Sequence, residues 1–339
     1  RLAGRRDIEV LSIDPARRKD PEARAELLNR ADAVVLCLPD DAAKEAVSLI
    51  TSDEVRVVDA STAHRTASGW TYGFAEMDRD QRAAIRQSKR VSNPGCYPTG
   101  FIGLVRPLVS AGLIPADFPL TVNAISGYSG GGKGLIEEFQ ATPAGGTSDA
   151  WRPYGLSLAH KHLGEMKAYG GLDHVPVFAP SVGRYAQGMI VEVPLQLWAL
   201  PGKPKSADLR EALAKAYQGE LFVQAATAQE CADLQKLRAG AAGYVAELDP
   251  EALNGTNRMK LYVFGNDDRQ QARLVAVLDN LGQVSAEETT ASLREAQKVL
   301  DKMAKRGILH PNTAARRKAA LAAKVAAGMG ADVTVLDRS

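Results

Sequence analysis

The chain of 339 residues has few cysteines and no excess of charge of either sign. Its cysteines, Cys37, Cys96 and Cys231, are widely spaced and odd in number, which argues against a disulfide framework, and no CxxC pair indicates zinc. The net charge of +2 gives the protein as a whole no attraction to nucleic acid or to a membrane surface. Each cysteine must therefore be judged from its own surroundings.

Long apolar runs are also missing. No uninterrupted apolar stretch approaches the roughly 18 residues of a membrane span. The first residues, with Arg1, Arg5 and Arg6, lack the apolar segment of a signal peptide. We therefore expect a cytoplasmic protein without membrane contact, and its length suits two domains of ordinary size.

The first part of the chain alternates short apolar runs with helical stretches, which is typical of a parallel sheet wrapped by helices. Runs such as AVVLCLP and VRVVDAS are apolar throughout, as expected of strands buried on both faces. We predict an α/β fold that begins with a Rossmann-type domain over 1–95. Its strands are expected at 8–13, 34–38 and 55–59, and its helices at 21–30 and 41–50.

The second part has longer strands of period-two character, such as MIVEVPLQLW, which indicate a mixed sheet covered by helices on one face. We predict an α+β catalytic and dimerisation domain over 96–267 and allow for a return of 268–282 to the first domain. Strands are expected at 120–125, 174–178, 189–197 and 260–264, and helices at 98–112, 134–139, 160–169 and 207–217.

After Gly282 the composition changes to Ala, Lys, Arg and Glu at helical periodicity, with no strand before 332–336. From Lys302 to Lys324 there are seven Lys or Arg and no Asp or Glu. A solvated helix face and a phosphate-binding surface both explain such a stripe. We interpret 284–339 as a basic, helical tail that is foreign to the rest of the chain and packs poorly against it.

The sharpest local signal is the segment SNPGCYPTG, in which an Asn-Pro-Gly turn carries Cys96 into the start of a helix. A thiol at a helix N-terminus is stabilised as a thiolate by the unsatisfied amides and the helix dipole. The alternative is a small buried residue, a common role of cysteine. We favour a nucleophile at Cys96, with Asn93 among the substrate contacts, and packing roles for Cys37 and Cys231.

A nucleophilic cysteine needs a proton-transfer partner, and the cluster HKHLGE is the best source of one. On a helix, His162 and Glu165 would share a face while His160 points roughly the opposite way. We therefore predict His162 as the acid/base, Glu165 as its orienter or a substrate contact, and His160 as the alternative. On a strand the two histidines could chelate a metal, but no further ligands have suitable spacing.

Two segments suit a nucleotide. The glycine-rich run from Gly127 through Gly130 and Lys133 follows a predicted strand and precedes a helix, so its backbone could approach a cofactor or an anion, and Lys133 is a candidate substrate contact. It nearly spells a P-loop, but Gly134 stands where Ser or Thr should hold magnesium. Asp14 closes a predicted strand and Arg17 and Arg18 follow, which favours the 2′-phosphate of NADP over NAD. A plain glycine turn is the alternative for the first segment.

Together these motifs resemble N-acetyl-γ-glutamyl-phosphate reductase of the shorter type, a relative of aspartate-semialdehyde dehydrogenase. The resemblance runs over about 1–282 and rests on CLPDDAAKEAV, VDASTAHR, SNPGCYPTGF, ISGYSGGGKG, LAHKHLGEM, APSVGRYAQGMIVEVPL and LYVFGNDDRQQARLVAVLDNLG. It implies NADPH-dependent reduction of an acyl phosphate through a Cys96 thioester, in arginine biosynthesis, by a homo-oligomer. It also implies that Arg65 and Arg184 bind the phosphate or carboxylate of the substrate. The residues that it implies for contacts with the cofactor are Cys37, Leu38, Pro39, Ser61 and Asn280.

The ends of the chain differ from this family. Its first strand and glycine-rich turn are expected before Arg1, and Gln283 begins a different sequence. The stretch from about 284 to 325 resembles the C-terminal part of the twentieth small-subunit ribosomal protein, and 326–339 resembles a short alanine dehydrogenase fragment. Alternative functions are an aspartate-semialdehyde dehydrogenase-like reductase, a cofactor-free thiol hydrolase or acyltransferase, and RNA binding through the tail.

Overall fold

The computed structural model describes residues 9–141, 146–235 and 248–280, together with the backbone of 334–337. These residues divide into two compact units. The first contains 9–73, 83–94 and 334–337, and the second contains 74–82 and the described residues of 95–280. No helix in the described ranges is long and apolar enough to cross a membrane. The cytoplasmic location stays a prediction.

The first unit is built on a six-stranded sheet with the order β1-β13-β2-β3-β5-β4. Strands β2, β3, β5 and β4 are parallel, as predicted. Val34, Leu36 and Val57 are fully buried on one face, whereas Val35 and Val58 on the other face are only partly buried. The elements follow the chain as β1 (Glu9–Leu11), α1 (Pro21–Arg30), β2 (Ala33–Leu36), α2 (Asp40–Ser48), β3 (Arg56–Asp59), β4 (Thr71–Tyr72), α3 (Gln81–Gln87) and β5 (Arg90–Ser92).

The strand predicted at 332–336 is present as β13 (Thr334–Asp337). It lies between β1 and β2 and runs antiparallel to both. The expectation that everything after Gly282 packs poorly is therefore wrong for these four residues. β13 fills the position between these two strands through backbone hydrogen bonds on both of its sides. The helices predicted between 284 and 331 lie outside the described residues.

The second unit is built on a seven-stranded mixed sheet with the order β10-β11-β12-β9-β6-β8-β7. Its elements are α4 (Cys96–Ser110), β6 (Thr121–Gly127), α5 (Gly132–Gln140), β7 (Trp151–Pro153), α6 (Leu163–Gly170), β8 (Val177–Gly183), β9 (Met189–Gln196), α7 (Ser206–Ala216), β10 (Val223–Ala225), α8 (Ala228–Gln235), β11 (Met259–Asn266) and β12 (Gln271–Leu278).

Helix α4 is the centre of the core of the second unit. It packs on β9, β11 and β12 and against α6 and α7. Its residues Phe101, Ile102, Leu104, Val105 and Leu108 are fully buried, as the apolar stripe predicts. Gly100 allows the close approach, because a Cβ there would lie 2.9 Å from a methyl of Val191 on β9. Burial of this face fixes the N-terminus of α4, where the predicted nucleophile lies.

The possible return of 268–282 to the first domain is not seen in its described residues. Strand β12 pairs antiparallel with β11 and β9 along its whole length in the second sheet. A tight connection between Asn266 and Gln271 closes a hairpin, and a hairpin keeps its two strands in one sheet. The second unit therefore extends to residue 280 within the described part of the chain.

Candidate active site

The turn before α4 presents Cys96 at the end of the helix. Gly95 is the N-cap residue, with φ −69° and ψ 147°, and Cys96 is the first residue of the 15-residue helix. The carbonyl of Gly95 accepts from both the amide (3.0 Å) and the hydroxyl (2.8 Å) of Thr99, which closes the first turn. Cys96 is half-buried. Its thiol thus lies at the positive end of the helix, where a thiolate is favoured.

A buried carboxylate fastens this turn. Glu165, on α6, is 2% exposed, and its Oε2 accepts the backbone N–H of Gly95 at 2.9 Å. The hydrogen bond joins two segments 70 residues apart. Glu165 therefore acts on the backbone that carries the nucleophile, and its predicted role as orienter of His162 or as a substrate contact stays a prediction.

The two histidines lie together beside this helix end. The rings of His160 and His162 are 4.6 Å apart and both face Tyr97, the residue after the nucleophile, at 6.5 and 5.9 Å. The expectation that His160 points away from His162 is wrong. The reason is that α6 begins only at Leu163, so His162 is its N-cap and His160 precedes it in a turn.

The histidines differ in burial and in hydrogen bonding. His162 is 5% exposed, whereas His160 is half-buried. Nδ1 of His160 accepts the backbone N–H of His162 at 3.2 Å, so in the neutral ring the proton is assigned to Nε2. Burial, assisted by the neighbouring Lys161, lowers the pKa of His160. A neutral His160 is therefore a hydrogen-bond donor through Nε2 near pH 7.

Two tyrosines that the sequence analysis did not single out complete the cluster. Tyr97 is 3% exposed, and its hydroxyl is 2.7 Å from Oγ of Ser126 and donates to the carbonyl of Ser181 at 3.2 Å. The hydroxyl of Tyr154 donates to that of Tyr97 at 3.1 Å. Tyr97 could have been noticed from its place next to Cys96, but nothing in the local sequence marks Tyr154.

The glycine-rich segment forms a tight backbone turn at the end of β6. A Cβ on Gly127 would lie 2.5 Å from the amide nitrogen of Gln187, so only glycine fits against that neighbouring strand end. Asn280 holds the turn, because its Nδ2 donates to the carbonyl of Gly127 at 3.2 Å and its Oδ1 accepts the N–H of Gly188 at 2.9 Å. A Cβ on Gly130 would lie 2.9 Å from that same Nδ2.

These contacts bring three residues predicted for the cofactor into one place, although they are far apart in sequence. The turn at Gly127 to Gly130 packs against Asn280, and both glycines are needed because protein atoms fill the space that a side chain would take. The amide of Asn280 is taken up by these contacts within the protein, and the roles of Gly127, Gly130 and Asn280 in holding the cofactor stay predictions.

Two predicted substrate contacts in the second unit have other partners in the structure. The guanidinium of Arg184 donates to the carbonyls of Asp149 (2.8 Å), Phe139 and Thr147, and lies over the Phe139 ring at 5.1 Å. Lys133 is 89% exposed and forms an ion pair with Glu137 at 3.6 Å. Their roles as substrate ligands stay predictions.

In the first unit, the residues predicted for the cofactor follow the ends of β2 and β3. Cys37, Leu38 and Pro39 connect β2 to α2, and Pro39 is the N-cap of that helix. Such strand ends are where dinucleotides bind in open α/β sheets.

The turn after β3 is fixed by a buried aspartate that the sequence analysis missed. Asp59 is fully buried and accepts from the Ser61 hydroxyl at 2.6 Å, and its carboxylate is 2.6 Å from Nδ1 of His64. His64 also stacks on Trp70 with ring centroids 4.1 Å apart. Arg65 is 8% exposed and donates to the carbonyl of Ala60 at 3.1 Å.

The acidic and basic residues after β1 form a local structure. Asp14 caps a short 3-10 turn by accepting the N–H of Ala16 at 2.9 Å. Arg17 forms a two-pronged ion pair with Asp20, the N-cap of α1, at 2.7 Å. Arg18 is exposed beside them. Asn93 is exposed in the turn after β5.

The remaining predictions concern cysteine and metal. Cys231 is 2% exposed on α8, in keeping with the predicted packing role, and Cys37 is half-buried. Across the residues that the structure describes, no group of three or more His, Cys, Asp or Glu is arranged to hold a metal ion.

The fold and the site together define a semialdehyde dehydrogenase. The family model for the NAD-binding domain of these enzymes matches residues 12–85, and the model for their dimerisation domain matches 96–280. Among solved structures, the aspartate semialdehyde dehydrogenase from Francisella tularensis matches with a TM-score of 0.54 at 14% identity, covering 75% of this chain and 79% of that one. Aspartate semialdehyde dehydrogenase II from Vibrio cholerae matches with a TM-score of 0.50 at 13% identity, covering 73% of each chain. Identities this low show the fold alone.

Sequence relatives give the particular family. The N-acetyl-gamma-glutamyl-phosphate reductase of Mesorhizobium japonicum is 55% identical over 284 residues, which covers 83% of this chain and 88% of that protein. The reductase 2 of Nostoc sp. is 51% identical, covering 83% and 86%. The reductase 2 of Pseudomonas putida is 49% identical, also covering 83% and 86%. The chain belongs to the N-acetyl-gamma-glutamyl-phosphate reductase family, and the predicted resemblance is confirmed.

The tail has a relative of its own. The family model for ribosomal protein S20 matches residues 274–326, which confirms the second predicted resemblance. The match begins within β12, and its part after residue 280 lies outside the described residues. The weaker resemblance of 326–339 to alanine dehydrogenase stays a prediction.

Proposed function

We propose that this chain catalyses the NADPH-dependent reduction of N-acetyl-L-glutamyl 5-phosphate to N-acetyl-L-glutamate 5-semialdehyde and phosphate. The observation that carries the proposal is the thiol of Cys96 at the N-terminus of α4, in a chain 55% identical to a reductase of that name. The next residue, Tyr97, has its ring against both imidazoles. An acyl phosphate is an activated carboxyl group, and a thiolate is the nucleophile that suits it.

The chemistry starts at sulfur. The thiolate of Cys96 attacks the acyl carbon, the C–O bond to phosphate breaks, and phosphate leaves with the electron pair. A thioester then joins the substrate to Cys96. The backbone amides of the first turn of α4 can stabilise the oxyanion of the tetrahedral species, since a helix N-terminus has unsatisfied N–H groups.

The imidazole pair supplies the hydrogen-bond donor for the second half of the reaction. We assign this role to His160 rather than to the predicted His162, because a group that meets the substrate must be accessible and His162 is 5% exposed. With Nδ1 held by the N–H of His162, the Nε2–H of His160 donates to the carbonyl oxygen and stabilises negative charge there. Collapse of the thiohemiacetal releases the aldehyde and restores the thiolate.

The cofactor supplies the hydride when it is bound. Residues of the first unit that would hold it are Ser61 and the 37–39 segment, which follow the ends of β3 and β2. We propose NADP rather than NAD because Arg17 and Arg18 provide positive charge next to Asp14, and guanidinium groups suit a ribose 2′-phosphate.

The decisive experiment is the reverse reaction, the phosphate-dependent reduction of NADP by N-acetylglutamate semialdehyde. We expect Cys96→Ser to abolish it and the buried control Cys231→Ser to retain it. Aspartate semialdehyde, tested in parallel, separates the aspartate-type alternative. In the forward direction, enzyme-dependent release of phosphate from N-acetyl-L-glutamyl 5-phosphate without nicotinamide would indicate a thiol hydrolase instead. Turnover by Cys96→Ser would refute the mechanism.

Cofactor choice has its own test. The double change Arg17→Ala and Arg18→Ala should raise KM for NADP at least tenfold and leave KM for NAD nearly unchanged, because only NADP carries the 2′-phosphate. Arg24→Ala is the matched control, since its guanidinium pairs with Glu45 at 2.7 Å. Equal effects on the two cofactors would refute the assignment.

We also propose that the chain self-associates through the open face of the second sheet. A groove of about 590 Å³ lies there, lined mostly by apolar residues of β6 to β9 and of the loop after β7. Among its lining residues, Trp151, Leu156 and Leu158 are 58%, 81% and 60% exposed, more apolar surface than a lone subunit usually leaves in one place. Leu156→Glu should shift the sedimentation coefficient toward that of a monomer, whereas Leu221→Glu, also at an exposed leucine, should not.

RNA binding by the tail is a second candidate function. The match of 274–326 to a ribosomal protein and the basic stretch from Lys302 to Lys324 favour it. Filter binding to structured RNA should weaken steeply with salt, because each neutralised phosphate releases counterions. Binding that is absent, or that does not respond to salt, would remove this candidate.

A further inference from the structure

Tyr154 links the open sheet face to the catalytic cluster. The residue is half-buried, and its backbone N–H donates to the carbonyl of Pro180 at 3.1 Å. Its ring and that of Phe178 line the groove on the sheet face. The same two rings contact the imidazole of His160, with centroid distances of 5.8 and 5.2 Å. They therefore form the wall between the groove and His160.

The hydroxyl of Tyr154 has a second contact, on the side of the nucleophile. It donates to the hydroxyl of Tyr97, whose ring contacts both imidazoles. A phenol has one donor and two acceptor positions, and those of Tyr97 are filled by Ser181, Ser126 and Tyr154. Removing the hydroxyl of Tyr154 leaves one of these three positions empty.

The electrostatic surroundings agree with this geometry. Burial, together with the charge of Cys96, raises the pKa of Tyr154 to about 12 and also raises that of Tyr97, so both phenols stay protonated donors at neutral pH. The titratable groups that face His160 are Lys161, His162 and these two tyrosines. Phe178 is the apolar neighbour.

We propose that Tyr154 is a positioning residue of the reductase centre, whose ring shields the His160 imidazole from water and whose hydroxyl anchors Tyr97 next to the nucleophile. The inference rests on the proposed function for its catalytic part only. The ring and the hydroxyl have different roles. Tyr154→Phe should therefore change kcat alone, whereas Tyr154→Ala should also change the titration midpoint of His160.

The shielding part is tested by NMR titration of ¹³C-labelled histidine, with the His160 signal assigned from His160→Asn. Wild type should titrate below the usual histidine value of about 6.5, because burial disfavours the charged ring. Tyr154→Ala should move the midpoint upward, while Tyr154→Phe and the control Tyr262→Ala, a tyrosine on the same sheet, should leave it unchanged. No shift in Tyr154→Ala, or an equal shift in Tyr154→Phe, would overturn the shielding role.

The anchoring part is tested by steady-state kinetics. Tyr154→Phe should lower kcat about three- to tenfold, the range expected for one lost hydrogen bond, with KM unchanged. Tyr262→Phe should match wild type. Unchanged kcat, or a change confined to KM, would overturn the anchoring role. The titration needs no turnover, so failure of the reductase assay in wild type would count against the proposed function and leave the shielding result standing.

Discussion

A single methyl group at Gly127 should be far more damaging than the same methyl seven residues later. Gly127 has φ −62° and ψ 155°, which alanine adopts without strain, so any effect of Gly127→Ala is a matter of space. The added Cβ would lie 2.5 Å from the nitrogen of Gln187 and 2.6 Å from the carbonyl carbon and oxygen of Ala186. These are backbone atoms, and ordinary contact is about 3.5–4.0 Å, so the two segments must separate by about 1 Å.

The separation breaks identifiable hydrogen bonds. The N–H of Gly127 donates to the carbonyl of Gly188 at 2.9 Å, and those of Tyr128 and Ser129 donate to Tyr185 and Ala186 at 3.0 Å each. Overpacking costs about 1–3 kcal/mol, and each weakened hydrogen bond up to about 1 kcal/mol more. We therefore expect Gly127→Ala to lower the free energy of unfolding by about 2–4 kcal/mol.

Gly134 provides the matched control. It lies in the first turn of α5, and an added Cβ would meet nothing within 4 Å. Alanine is a better helix former than glycine by up to about 1 kcal/mol, so Gly134→Ala should be neutral or slightly stabilising. Urea denaturation followed by tryptophan fluorescence measures both variants. A Gly127→Ala protein within about 0.5 kcal/mol of wild type, or a Gly134→Ala protein equally destabilised, would refute the steric argument.

Three further predictions follow from buried contacts. Glu165→Ala should cost about 2 kcal/mol in thermal unfolding, because the buried N–H of Gly95 loses its acceptor, whereas Glu165→Gln keeps an oxygen in place and should cost less. Tyr217→Phe should cost about 1 kcal/mol in urea denaturation, since the hydroxyl of the buried Tyr217 donates to the carbonyl of Gly103 at 2.9 Å. Because burial lowers the pKa of His160, kcat/KM should persist below pH 6.5 and fall only as pH drops through that lowered pKa. His160 should also lower the free energy of unfolding as the pH falls below about 6.5, the pKa of histidine in the unfolded chain. A loss of kcat/KM that begins above pH 6.5 would contradict the assignment.

The sequence alone determined the nature of the chemistry. The turn before Cys96, the apolar stripe of α4 and the alternation in β9 are local patterns, and a local pattern has a local physical cause such as a cap, a buried face or a pleat. The parallel first sheet and the mixed second sheet followed from the same periodicities. The motifs in order indicated the reductase family, and the relatives confirmed it.

Tertiary structure decided everything that depends on distance between remote segments. Glu165 lies 70 residues from Gly95 in the sequence, and Tyr154 lies 57 residues from Tyr97. A helical or strand periodicity relates only neighbouring residues, so it could not predict these contacts. The direction of the His160 side chain was predicted wrongly because the helix was expected to begin at residue 160. It begins at Leu163, so His160 lies in a turn and does not follow the helical spacing. The sheet to which β12 belongs stayed open because strand pairing is a choice among edges, and that choice depends on the whole sheet. The sequence thus fixes which groups are available, while packing fixes which of them meet.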